Sequence, residues 1–491
     1  MNRADHDLSS VTFAPATALL ARIRAGKLRS RDLLEHYLAR IEAHGAAINA
    51  VVVRNFAAAR ECADRADRAL AHGEWLGPLH GLPMTIKESF HMTGTPTTFG
   101  FSEFRNNVAA KNAVVVERLL AAGAVIFGKT NVPPGLMDGQ SNNEVYGRTN
   151  NPWDLERTPG GSSGGSAAAL AAGLSALELG SDIASSIRNP SHYCGIYGHK
   201  PSYGLCPQDG HMLLETHQSA DIAVVGPMAR SADDLELALS IIAGPAAPAS
   251  AAYRLSLPES RCTELADFRV ALIVDDPFAE VDAPVQDQLI LLGDFLTRAG
   301  ARVAHNVRPA FDSLELYQLY MVLLRAAVAS SIPDEEFESE MVRARGANRA
   351  TREMAKLNAY GATLSHRDWL RLDEERQRVR LNWREFFDRF DLVLCPPLSS
   401  AAFRHSSIPP QLRSLNVNGH EVPFENQLFW AGYAGLAYLP ATVAPIGLTP
   451  GGLPVGVQII GPECADRTCL RFAQLLERRY RAFVPPPRFL D

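Results

Sequence analysis

Several things are scarce in this chain of 491 residues, and each scarcity excludes a class of protein. There are seven cysteines, at 62, 194, 206, 262, 395, 464 and 469, and no two are spaced as CxxC. That excludes a disulfide framework and a zinc site, and it fits a reducing, cytoplasmic setting. Positive charge is not in excess: the net charge is −6, which gives no footprint for nucleic acid. The Arg-rich stretch from Arg22 to Arg31 reads as a solvated helix face. No long apolar run is present. The opening Met-Asn-Arg-Ala-Asp-His-Asp lacks the apolar core of a signal peptide, and the least polar stretch, 167–180, is Ala/Gly-rich and broken by Glu178. No membrane contact is expected. No His, Asp, Glu or Cys set has metal-ligand spacing, so neither metal nor cofactor is implied. What remains, 46% hydrophobic and 21% charged residues, is the composition of a soluble globular protein with a sizeable core.

Periodicity predicts helices over 30–47 and 55–71. In the first, Leu33, Leu34, Tyr37, Leu38 and Ile41 share one face, with Ser30 as N-cap. Short buried strands are predicted at 82–86 and 124–128, and a small-residue helix at 167–174. A strand at 268–275, a helix at 284–299 and a strand at 302–307 then alternate, which indicates a layered α/β fold. Residues 311–390 read as helical and strongly charged. Strands return at 391–397, 439–445 and 452–461. There are no internal repeats.

Three motifs compete to explain the chemistry. Gly123 to Thr130 matches the phosphate-loop pattern GxxxxGK[ST] letter for letter. Its middle residues Ala, Val, Ile and Phe favour a strand, however, and Pro133-Pro134 bars the helix that such a loop needs. Gly160-Gly-Ser-Ser-Gly164 matches the GxSxG nucleophile elbow, but residues 151–159 do not form the buried strand that motif requires. The third reading uses two serine clusters, Pro159-Gly-Gly-Ser-Ser-Gly-Gly-Ser166 and Gly180-Ser-Asp-Ile-Ala-Ser-Ser-Ile-Arg-Asn-Pro190. It adds a lysine on an apolar run in Gly81-Leu-Pro-Met-Thr-Ile-Lys-Glu88. Hydroxyl-rich Gly loops and a lysine suit acyl transfer, with a serine nucleophile, a relay and a base.

These residues, with Asn151-Pro-Trp-Asp154 and Gly198-His-Lys-Pro-Ser-Tyr-Gly204, resemble the amidase signature family from about Pro15 to Pro462. The resemblance implies one large α/β/α domain with a mixed central β-sheet covered by helices, plus a helical cap. Residues 1–75 would pack on the core as an N-terminal helical segment, and 76–310 would form the core with the catalytic residues. Residues 311–390 would be a variable cap whose apolar side touches substrate, and 391–491 would complete the core. The implied activity is amide hydrolysis through a Ser-Ser-Lys triad and a covalent acyl-serine. Ser186 is the nucleophile, Ser162 the bridging serine and Lys87 the base; the serine interval, 186 − 162 = 24, is the family's own. Lys87 must be largely neutral to act, and burial would lower its pKa. The loop Ile183, Ala184, Ser185 and Ser186 would form the oxyanion hole. Ser163, Ser181, Asp182 and Arg188 would support it, the last two as a structural ion pair. His91, His192 and His199 have no catalytic role. In the family the bridging serine follows a cis peptide.

Small amides are the expected substrates, neutral and apolar or aromatic, with carbamate (urethane) or ester cleavage by the same attack. Assembly as a homodimer is compatible with this reading. Two alternatives stand beside it: the A subunit of a tRNA-dependent amidotransferase, and a catalytically silent scaffold. The second is motivated by a departure from the family pattern, since Ala184-Ser185 stands where Gly-Gly is usual. If both residues sit at φ < 0, restoring glycine would cost roughly 1 kcal/mol through the unfolded chain's added freedom. It would also shift the rate ratio between bulky and small substrates.

Overall fold

The computed structural model describes residues 8–213 and 219–490. Its core is an eight-stranded mixed sheet. In spatial order the strands are Arg302–His305, Arg269–Leu272, Leu392–Cys395, Pro454–Ile460, Ala441–Leu448, Tyr197–Lys200, Val224–Ala229 and Glu178–Asp182. The first three run parallel to one another, and every other pairing is antiparallel. The last three in chain order explain why 391–491 is needed: Leu392–Cys395, Ala441–Leu448 and Pro454–Ile460 fill the middle of a sheet whose edges come from earlier segments. The result is the α/β fold with a mixed, helix-covered sheet that the resemblance implies.

A second sheet of three strands holds Val125–Thr130 in the centre, antiparallel to Val51–Arg54 and parallel to Pro83–Lys87. The phosphate-loop match falls within it. Val125–Thr130 is buried along its whole length, as its branched and aromatic residues require, and Lys129 Nζ donates to the Pro96 carbonyl and to Thr97 Oγ1. The small sheet is pinned to the large one beside strand Glu178–Asp182. Thr85 N–H donates to the Leu177 carbonyl at 3.3 Å, and Thr85 Oγ1 donates to Glu178. Lys87, the last residue of its strand, is thereby set against the end of strand Glu178–Asp182.

The predicted helices form close to their expected limits, at Ser30–Ile48, Phe56–Ala71 and Ala283–Arg298. Ser30 is not the N-cap. It is the first helical residue, its hydroxyl donates to the Gly81 carbonyl, and Asp67 from the neighbouring helix accepts the amides of Ser30 and Arg31. A carboxylate from outside thus satisfies the orphan donors of that helix end.

Four α-helices follow the strand Arg302–His305 before the sheet resumes: Ser313–Val328, Asp334–Arg343, Met354–Ala362 and His366–Arg389. They are unlike one another. Ser313–Val328 is buried continuously from Leu316 to Leu324, whereas Asp334–Arg343 buries nothing. The first is therefore a core element despite the charge of the segment around it. No helix among the described residues is long and apolar enough to cross a membrane.

Candidate active site

The small-residue helix predicted at 167–174 starts three residues earlier, at Gly164–Ala171. The turn before it carries Ser162, and the peptide bond Gly161–Ser162 is cis. Close packing explains the glycine: a Cβ on Gly161 would lie 2.2 Å from the Asp138 carbonyl oxygen. Residues 151–159 form turns, not a strand, so the nucleophile-elbow context is missing.

The fold brings both serine clusters onto Lys87. Its Nζ lies 2.6 Å from Ser162 Oγ and 2.9 Å from Ser181 Oγ. Ser163 N–H donates to the Ser186 carbonyl at 3.2 Å, which seats Ser186 against the residue after Ser162. Ser163 Oγ in turn meets the backbone of Ser181, donating to its carbonyl at 3.3 Å. Lys87 has no exposed surface, Ser162 has 1% and Ser186 has 6%. Burial pushes the Lys87 pKa down to about 7, with the Asp182 charge opposing it. The site thus holds a lysine that is partly neutral near pH 7.

The loop after strand Glu178–Asp182 is organised by Asp182. Arg188 grips it in two bonds, Nε to Oδ2 at 2.9 Å and Nη2 to Oδ1 at 2.8 Å, and both side chains are fully buried. Backbone amides of Ser185, Ile187 and Arg188 also donate to that carboxylate. Burial alone would raise the Asp182 pKa; Arg188, Lys200 and the backbone donors outweigh it and hold the carboxyl at about 2. Arg188 Nη1 reaches Gln458 Oε1 at 2.7 Å, which ties the loop to the central sheet.

This anchoring corrects two expectations. The Ser185 amide, grouped above with the oxyanion-hole donors, is directed at Asp182 Oδ1 at 2.9 Å. The loop is held through the amides of Ser185, Ile187 and Arg188, not those of Ile183, Ala184 and Ser186. Second, Ser185 sits at φ +76°, in the left-handed region, and not at φ < 0. A left-handed non-glycine residue costs about 1–2 kcal/mol, and the buried Ser185 hydroxyl has no hydrogen-bond partner. The sign of the stability forecast therefore reverses at this position. Ser185→Gly alone should stabilise the protein by about 1 kcal/mol, after allowing for the unfolded chain's extra freedom. Denaturant unfolding checks this, and a lower midpoint in the variant would refute it.

Sequence reasoning missed several neighbours. Lys200 is buried on strand Tyr197–Lys200, and burial first, then Arg188, push its pKa down to about 7. The Tyr320 hydroxyl from helix Ser313–Val328 donates to the Ile183 carbonyl at 3.1 Å, so that helix forms part of the site wall. Tyr320 also packs on Gly432, where a Cβ would lie 2.7 Å from its ring. Lys200 stands inside the motif Gly198–Gly204 but is given no role there; Tyr320 belongs to no motif, and only its helix's apolar stretch hinted at its burial. His192 and His199 are placed structurally: His192 accepts from the Gly456 amide, and His199 bridges Thr442 and Asp466. Among the described residues no cluster of side chains could hold a metal ion. A groove of about 240 Å³ between helix His366–Arg389 and residues 437–463 contains none of the predicted site residues.

A family model described as Amidase matches residues 32–470. The A subunit of glutamyl-tRNA(Gln) amidotransferase from Anaeromyxobacter sp. (strain K) is 32% identical over 493 residues, 95% of this chain and 96% of that one. Among solved structures, one similar chain belongs to a vestigial protein complex bearing on the evolutionary origins of an s-triazine catabolic enzyme. It is 27% identical with a TM-score of 0.81, over 96% of this chain and all of that one. A bacterial aryl acylamidase at 24% identity shares the fold, with a TM-score of 0.81 over 98% of each chain.

Proposed function

The chain belongs to the amidase signature family, and from that premise we propose that it hydrolyses amide C–N bonds through an acyl-enzyme on Ser186. The observation that carries this reading is the buried lysine 2.6 Å from Ser162, its ammonium destabilised to a pKa of about 7. Neutral Lys87 takes a proton from Ser162, which takes one from Ser186 as its Oγ attacks the carbonyl carbon. The amides of Ile183, Ala184 and Ser186 stabilise the oxyanion, a contribution worth about 3 kcal/mol per donor in other hydrolases. The proton on Lys87 returns through Ser162 to the leaving amine as the C–N bond breaks. Water then adds to the Ser186 ester by the same relay, and the acid departs. Asp182, Arg188, Ser163 and Ser181 position these groups, and no cofactor enters.

The similarity to a glutamyl-tRNA(Gln) amidotransferase over almost the whole chain supports the A subunit of a tRNA-dependent amidotransferase over a free-standing hydrolase. In that reading the amide is glutamine, and a partner subunit receives the ammonia. The wall of the site favours a neutral acyl group instead. Ile183 and Ala184 are its partly exposed residues, Tyr320 packs behind them, and the charges of Asp182 and Arg188 are consumed by each other. Carbamates and esters fit the same attack. The test is ammonia release from glutamine measured beside hydrolysis of anilides, primary amides, carbamates and esters. Glutaminase activity that dominates and rises with an added amidotransferase B subunit decides for the amidotransferase. Rapid cleavage of neutral amides without a partner decides for the hydrolase. No turnover and no labelling of Ser186 by a fluorophosphonate would leave the silent scaffold.

A further inference from the structure

A short strap, residues 138–141, encloses the turn that carries Ser162. Ser141 Oγ donates to the Gly160 carbonyl at 3.2 Å and accepts from the Gly164 amide at 3.1 Å. Thr158 Oγ1 donates to the Gly139 carbonyl at 3.2 Å and accepts from the Gly160 amide at 3.0 Å. A Cβ on Gly161 would collide with the carbonyl oxygens of both Asp138 and Gln140. The strap therefore meets the chain at 158, 160, 161 and 164, on both sides of Ser162. Where the strap stands decides where the Ser162 turn stands.

The strap forms neither helix nor strand, and residues far along the chain hold it. Arg413 grips Asp138 in two bonds, Nη1 to Oδ1 at 2.6 Å and Nη2 to Oδ2 at 2.9 Å. It also donates to the Ile408 carbonyl from Nε and Nη2. Its guanidinium lies 5.4 Å from the ring centroid of Phe403 and 4.9 Å from that of Phe424, and only 4% of the residue is exposed. Gln140 and Ser406 exchange two bonds of 2.9 Å. Arg413 and Phe424 close the base of the hairpin Ser414–Val417/His420–Pro423, the Phe424 amide donating to the Arg413 carbonyl at 2.8 Å. The Phe424 ring abuts the strap at Gly139, where a Cβ would lie 2.7 Å from it. At the hairpin's other end Asn418 donates to the Val281 carbonyl and accepts from the Ala283 amide. A planar fork on a carboxylate fixes direction as well as distance. Arg413 thus transmits the position of a doubly anchored hairpin to the strap.

We propose that Arg413 is a positioning residue for the proton relay: through Asp138 and the strap it holds Ser162 Oγ on Lys87 Nζ, and amide cleavage depends on it more than ester cleavage does. This rests on the reading of Ser162 as the relay. Acylation by an amide uses the relay twice. Ser162 first takes the Ser186 proton and passes one to Lys87, then returns a proton to the leaving nitrogen as the C–N bond breaks. A nitrophenyl ester needs only the first transfer, because nitrophenolate departs as an anion. Poor aim of Ser162 therefore costs the amide more.

The experiment measures kcat/KM for an anilide and a nitrophenyl ester of the same acid, in the unaltered protein and in Arg413→Met, Arg413→Lys, Asp138→Asn and Ser162→Ala. Arg413→Met should slow the anilide by about tenfold to a hundredfold, the range of a small misplacement of a reacting group, with the loss in kcat and not in KM. The ester should lose at least about fivefold less. Arg413→Lys, which keeps the charge and one bond to Asp138, should restore part of the anilide rate. Asp138→Asn, which keeps one acceptor for the fork, should show the same split at smaller size. Equal losses on anilide and ester would make Arg413 a general prop of the fold and overturn the proposal, as would an unchanged anilide rate. If Arg413→Met fails to fold, as thermal unfolding would reveal, Arg413→Lys and Asp138→Asn carry the test, and no split in either overturns it. Ser162→Ala separates the two possible failures. A split there with none in the Arg413 and Asp138 variants refutes the role of Arg413 alone; no split in Ser162→Ala refutes the relay assignment and this proposal with it.

Discussion

Ser186→Ala should abolish amide turnover, with a loss of at least about 10⁴-fold in kcat, and leave the protein folded. The magnitude follows from what disappears: without Oγ there is no acyl-enzyme, and only binding and oxyanion stabilisation remain to assist water. The fold should be indifferent because the loop is held by other atoms. Asp182 accepts from Ser185, Ile187 and Arg188, and Ser163 N–H donates to the Ser186 carbonyl, a bond that alanine preserves. A substitution that removes no packing and no network bond usually changes stability by less than about 0.5 kcal/mol. Steady-state hydrolysis beside thermal unfolding measures both halves. Retained activity in Ser186→Ala, together with complete loss in Ser162→Ala, would transfer the nucleophile to Ser162 and revive the elbow reading. A loss confined to about tenfold would mean that Ser186 only assists.

Lys87→Met should remove most amide hydrolysis and raise stability. The catalytic half rests on position: Lys87 Nζ is 2.6 Å from Ser162 Oγ, and its neutral form is the base. With a folded pKa of about 7, activity should rise as pH increases through 7 and level off on the alkaline side. An acid optimum would refute the assignment. Lys200 has a similar pKa of about 7 for a similar reason, so the same profile should be recorded in Lys200→Met. If Lys87 is the base, that variant keeps a rise with alkaline pH; if the rise vanishes, Lys200 governs it.

The stability half follows from linkage. The folded state holds Lys87 at about 7 against an ordinary value of 10.5, because its burial disfavours the charge. Between those two pH values the unfolded chain binds more protons than the folded one, so stability increases with pH across the window and the penalty is fully present below it. The slope can reach about 1.4 kcal/mol per pH unit for one group. Met has similar reach and no charge, so Lys87→Met should lose this component of the pH dependence and be more stable at about pH 6 than the unaltered protein. Equal unfolding midpoints at that pH would show that Lys87 is hydrated or paired when charged.

The amino-acid sequence by itself determined which residue types meet and most of the frame that holds them. Lys87 ends a short run, Leu82 to Ile86, whose apolar and β-branched residues favour a strand, and strand Pro83–Lys87 is buried at every position. Ser162 had to lie in a turn before a helix because Gly160 and Gly161 precede a run of small helix formers, which becomes Gly164–Ala171. Opposite charges at Asp182 and Arg188 sit six residues apart, close enough to close on each other across a short loop. Such features depend on neighbours in the chain, and local sterics and solubility decide them.

Tertiary structure alone decided the fine aim of the site. Ser181 became the second hydroxyl on Lys87 because the small sheet docks beside strand Glu178–Asp182, through Thr85 and residues that share no motif with it. Ser185 lost its amide to Asp182 and took φ +76° because Arg188, anchored to Gln458 some 270 residues later, fixes where that carboxylate stands. Nothing in Ala184-Ser185 as letters favours a left-handed backbone; a glycine there would have suggested it. Tyr320 fell behind Ile183 because the helix Ser313–Val328 is packed by Gly432. Dihedral strain and lysine pKa values both arise from contacts between distant segments, where burial removes water and packing removes alternatives.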